Sequence, residues 1–113
     1  MNQDKLAILW TNADPITAEL MVFLYAENAV LRGWWNEVEI IVWGATAKLV
    51  AENKKISSKL QSMQDNGVTV NCCLACANEL GVADDLSALG FELSLMGEPL
   101  TELIKRDIKV LSI

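Results

Sequence analysis

Cys72, Cys73 and Cys76 all lie in the stretch "VTVNCCLACANELGV" (residues 68–82) of a 113-residue chain that has no histidine. A Cys–His catalytic pair is therefore excluded, because no imidazole is present to serve as base. Between Gly67 and Gly81 there is no Lys or Arg either, and the nearest charge is Glu79. Any thiolate in this stretch must be favoured by backbone dipoles or by groups that folding brings in. Three cysteines are an odd number and cannot form a closed disulfide framework, so free thiols are expected. The spacing Cys73-Leu74-Ala75-Cys76 is a CxxC, which admits three readings. A zinc site would have to be built from three sulfurs with no imidazole, whereas structural sites usually take two CxxC pairs or Cys with His. A thioredoxin-type redox pair usually follows an early strand and has flanking Trp or Pro residues absent here. The third reading is one working cysteine with a neighbour that resolves or packs.

What these thiols can do depends on where the chain puts them. Short apolar runs alternate with segments of helical period, the pattern of an α/β protein with a largely parallel sheet. "KLAILW" (5–10) reads as a first buried strand, and Asp14 as the N-cap of a helix with Pro15 at its first position. In that helix Ile16, Leu20, Phe23, Leu24 and Leu31 recur at helical spacing and are expected to face the sheet, with Gly33 ending the helix. "VEIIVWG" (38–44) is a second strand, apolar on both faces. Residues 45–66 are helical with a break near Asn53, Ile56, Leu60 and Met63 forming a fresh stripe that stops at Asn66-Gly67. "VTVNCC" is the third strand, and "LACANEL" the next helix, closed by Gly81. A short helix at 84–89, a strand in "FELSLM", a helix from Pro99 to about Asp107 and a last strand "IKVLSI" complete the chain. The expected fold is a three-layer α/β/α sandwich on a mostly parallel five-stranded sheet, with residues 1–113 as one domain.

In such sheets reactive groups gather beyond the carboxyl ends of the strands, where helix N-termini offer unpaired amides. Cys73 and Cys76 are placed there. Cys72 should point to the opposite face of its strand from Cys73 and act as a packing residue. Thr11 and Asn12, in "TNADP" after the first strand, are a second rim of the site, able to donate hydrogen bonds to a sulfur anion or small ligand. The same composition also serves ordinary turns and caps. Trp34 and Trp35 cannot both enter one core from a turn, so one is a candidate for a subunit interface. Trp10 and Trp43 are assigned to the core or the cleft wall, and Met21, Met63 and Met96 to the core.

Nine basic against fifteen acidic residues give a net charge of −6, which disfavours nucleic acid and anionic membrane as partners. No G-x-G-x-x-G or Walker pattern occurs, so no nucleotide cofactor is expected, and none of another kind. "MNQDKLAILW" lacks the layout of a secretory leader, no apolar run is long enough for a bilayer, and a cytoplasmic location is expected. The 52% apolar composition leaves surface that association would cover.

"GVTVNCCLACANELGV", the acidic short helix and "LGFELSLMGEPLTELIKRDIKVLSI" resemble the DsrE/DsrF-like proteins, which include sulfur-relay subunits. The resemblance extends over nearly the whole chain. It implies an αβα sandwich assembled as trimers or hexamers, homomeric or mixed. It also implies that a cysteine eight residues before the helix-ending glycine accepts sulfur as a persulfide and passes it to a partner. Counting back from Gly81 gives Cys73, with Cys76 as second choice. The function expected is thus a persulfide carrier working between sulfur donor and acceptor proteins. The alternatives are a non-catalytic oligomeric binding or scaffold protein, or a CxxC thiol-disulfide protein.

Overall fold

The computed structural model describes residues 4–113; Met1–Gln3, the start of the stretch read above for a leader, lie outside it. Five strands, β1 (Lys5–Trp10), β2 (Glu37–Val42), β3 (Thr69–Cys73), β4 (Glu92–Ser94) and β5 (Lys109–Ser112), form one sheet in the order β4-β3-β2-β1-β5. Every pairing is parallel. The register aligns Ile8 with Ile40 and Leu111, Ile40 with Val70, and Val42 with Cys72. Because side chains alternate along a strand, these residues share one face with Leu6, Trp10 and Val38. That face carries the main core.

The first three crossovers all cover this face. The first is a helical run over residues 15–31: α1 (Pro15–Thr17), a π-helical turn (Ala18–Phe23) and α2 (Leu24–Leu31). It starts as its residues dictate, with Asp14 accepting from the Thr17 amide and Pro15 in the first turn. The second crossover is α3 (Ala45–Glu52) and α4 (Lys54–Asp65). Asn53 ends α3 and caps α4, its side-chain oxygen accepting from the Ile56 amide at 3.1 Å. This is the break the sequence led us to expect, and Ile56, Leu60 and Met63 are buried beneath it. The third is α5 (Leu74–Leu80) and α6 (Ala83–Ala88).

The fourth crossover differs. Strands β4 and β5 are the two edges of the sheet, so α7 (Gly97–Lys105) carries the chain across the opposite face. Among the described residues, α7 alone forms that layer. Beneath it lie Ile41, Cys73 and Met96, with Leu9, Trp43, Cys76, Leu100 and Leu103 packed around them. α7 begins two residues before Pro99. The missing amide of Pro99 falls in the first turn, where amides have no intrahelical partner. At the other end Asp107 adopts a left-handed φ of 59°, a conformation Asp tolerates better than most residues.

The first helix corrects the sequence reading. Ile16, Leu20, Leu24 and Leu31 are 66%, 67%, 50% and 68% exposed, and Met21 is exposed as well. Of the stripe expected to face the sheet only Phe23 does so, with Ala18, Val22, Ala26 and Ala29, all fully buried. Both faces of this helix are apolar, so periodicity alone does not choose between them. Size does: alanines let the helix approach a sheet already filled by Trp10, Ile8 and Ile40, and bulkier residues there would overpack it. Phe23 then meets Trp10 edge-on, with ring centroids 5.2 Å apart.

Candidate functional site

Strand β3 passes into α5 with no intervening loop, and Cys73 is both the last strand residue and the N-cap of the helix. Its backbone is extended (φ −67°, ψ 111°), the conformation that lets an N-cap side chain turn back on the first helical turn. The usual oxygen is replaced by sulfur. Cys73 Sγ accepts a hydrogen bond from the Cys76 amide at 3.5 Å and another from the Cys76 thiol at an Sγ–Sγ distance of 3.0 Å. The CxxC spacing therefore places two sulfurs in contact, one at the cap and one a turn later.

Cys72 is excluded from this pair by strand alternation. It is fully buried in the main core on the other face of the sheet, while Cys73 belongs to the small cluster under α7. The three sulfurs do not converge as a zinc site would require. Burial, and secondarily the neighbouring Cys73, pushes the Cys72 thiol from 9.0 up to about 12. Cys73 is only 3% exposed, shielded by Met96 and Ile41. Cys76 is half-buried and forms the outer member of the pair. Its pKa is raised, first by burial and then by its hydrogen bond to Cys73, with the Gly44 backbone amide pulling the other way. Cys76 thus holds the proton that it shares with Cys73.

Two contributors were not singled out for the site. Met96 lies between β4 and α7 and closes over Cys73, a position set by an edge-to-edge crossover that local pattern does not reveal. Gly44 turns the chain from β2 into α3 with a positive φ of 69°. The single glycine of "WGATAK" was the available signal. Thr11 and Asn12 are brought elsewhere. The Thr11 hydroxyl and the amides of Thr11 and Asn12 all donate to the Ile113 carbonyl, and the Asn12 side chain accepts from the Asp14 amide. Strand β2 separates their loop from β3, which puts them two strand spacings, roughly 10 Å, from the cysteines. The tryptophans divide as expected. Trp10 is buried, Trp43 flanks the thiols, Trp35 donates to the Tyr25 hydroxyl at 3.1 Å, and Trp34 is 53% exposed.

The family model for DsrE/DsrF-like proteins matches residues 4–113. The chain belongs to the DsrE/DsrF-like family. A solved structure of a conserved protein of unknown function from Bacteroides thetaiotaomicron is similar to this DsrE/DsrF-like chain, with 42% sequence identity and a TM-score of 0.94. The match covers 97% of this chain and 95% of that one. No curated protein matches. The five-stranded parallel α/β fold is therefore shared, and no described helix is long and apolar enough to cross a membrane.

The burial of Cys72 has a consequence for alkaline stability. Its thiol loses a proton near 9.0 when unfolded and near about 12 when folded, so between these values the unfolded state binds fewer protons and unfolding is favoured as pH rises. Urea unfolding from pH 8 to 11 should show a decline on the order of a few kcal/mol that is missing in Cys72→Ala. An identical pH slope in the two proteins would place Cys72 in solvent.

Proposed function

We propose that the protein is a persulfide carrier of the sulfur-relay kind. Cys73 takes a sulfane sulfur from a donor persulfide and gives it to an acceptor thiolate. The observation that carries this reading is the Cys73 sulfur held at a helix cap, accepting from both the amide and the thiol of Cys76. Support also comes from family membership and from the position of Cys73 eight residues before the αL glycine Gly81 that closes α5.

The chemistry is a displacement at sulfur. The Cys73 thiolate attacks the terminal sulfur of R–S–SH, the donor S–S bond breaks, and R–S⁻ leaves, so that Cys73 carries –S–SH. An acceptor thiolate reverses the step and regenerates Cys73. Cys76 and the nearby Gly44 amide supply hydrogen-bond donors for a sulfur anion, in place of the cation the segment lacks. Met96, Trp43 and Leu100 form an apolar wall that keeps water from a hydrolysable intermediate. Approach is over Cys76, since Cys73 itself is covered. With a cysteine desulfurase and cysteine, intact-mass measurement should show the gain of one sulfur atom, reversed by reductant. The gain should vanish in Cys73→Ser and persist in Cys72→Ser. An unmodified wild type, or loading that survives in Cys73→Ser, contradicts the proposal.

We also propose that copies of the chain assemble, as a homotrimer or homohexamer, through the outer face of the first helix. Ile16, Leu20, Met21, Leu24, Leu31 and Trp34 are all exposed there. At typical side-chain areas they offer on the order of 600–700 Å², close to the roughly 800 Å² per partner of a standard interface. Sedimentation velocity should show an oligomer for the wild type and a monomer for Leu20→Glu. A monomeric wild type at micromolar concentration would leave the stripe unexplained.

A further inference from the structure

Resting on the carrier reading, we propose that Cys76 gives the site a second outlet: it displaces the sulfur held on Cys73 as hydrosulfide and leaves a Cys73–Cys76 disulfide. The sulfurs are 3.0 Å apart before any reaction, and a disulfide needs about 2.05 Å, so closure requires a movement of roughly 1 Å. Both residues lie on a single turn, Cys73 at the cap and Cys76 in the first turn of α5. The movement is therefore a side-chain rotation that leaves strand and helix in place. Cys72 cannot substitute, because it projects from the other face of the sheet into the main core.

The surroundings also set where the proton comes from. Ile41, Met96, Trp43 and Leu100 pack around the pair and contribute no acid. The thiol already hydrogen-bonded to Cys73 is that of Cys76, and burial and this bond keep it protonated. Cys76 Sγ attacks Cys73 Sγ, and the bond from Cys73 to the terminal sulfur breaks. The terminal sulfur departs with its electron pair, takes the Cys76 proton and leaves as HS⁻. It is reduced by two electrons, and the two cysteine sulfurs are oxidised to the disulfide. A dithiol reductant then restores the pair by two successive thiol–disulfide exchanges. The fate of each loaded sulfur becomes a competition between an incoming acceptor thiolate and the internal thiol.

The test uses the whole chain, loaded with inorganic polysulfide, freed of reagent and held without any thiol. Wild type should release about one hydrosulfide per loaded chain, as expected for displacement by an internal thiol. Its mass should fall to that of the reduced chain less two hydrogens, with Cys73 and Cys76 linked in the peptide map. Cys76→Ser and Cys76→Ala, with native circular dichroism, should load equally and release an order of magnitude or more slowly. If wild type loads but keeps its sulfur as long as these variants, or if the disulfide involves Cys72, this inference fails and the carrier reading stands. If wild type does not load, both fail.

Discussion

The site depends on one capping contact: a sulfur occupying the place of an N-cap oxygen where a strand turns directly into a helix. Because β3 reaches α5 without a loop, Cys73 has no freedom to swing into solvent, and its extended backbone aims Sγ at the first turn of the helix. The amide of Cys76 meets it there, and the same turn delivers the Cys76 thiol to 3.0 Å. Strand alternation does the rest, sending Cys72 into the opposite core where it is simply a small apolar residue. Three adjacent thiols thus acquire two different environments from backbone geometry alone.

Much of this was legible from local pattern. The strands announce themselves as short β-branched runs, and caps at Asp14, Asn53 and Gly81 mark helix ends by their own hydrogen-bonding or φ requirements. The opposed directions of Cys72 and Cys73 follow from the period of a strand. Features set by long-range contacts were not legible. That Cys76 is the outer thiol and Cys73 the covered one depends on Met96 and α7, which arrive by a crossover from one sheet edge to the other. The donors of Thr11 and Asn12 are engaged by Ile113, about a hundred residues away, and no property of "TNADP" announces that partner.

The first helix shows the limit of periodicity as a guide. Two apolar stripes run along it, and the bulkier one turns outward because only alanine and valine fit against a sheet face already occupied by Trp10. The result is a chain whose main core is complete on one face while large apolar residues remain on its surface. The opposite face is covered by α7 alone, which has no fully buried residue of its own. The thiol pair sits beneath this thinner layer, where a modest displacement of Met96 or of the start of α7 opens a path to sulfur.

A trivalent arsenical such as phenylarsine oxide bonds two thiols only when their sulfurs lie close together, and so reads the central contact directly. Native mass spectrometry should find one arsenical bound per chain in the wild type and in Cys72→Ser, and none held against dilution in Cys73→Ser or Cys76→Ser. An adduct that requires Cys72, or its absence from the wild type, would show that Cys73 and Cys76 do not share the geometry on which the account rests.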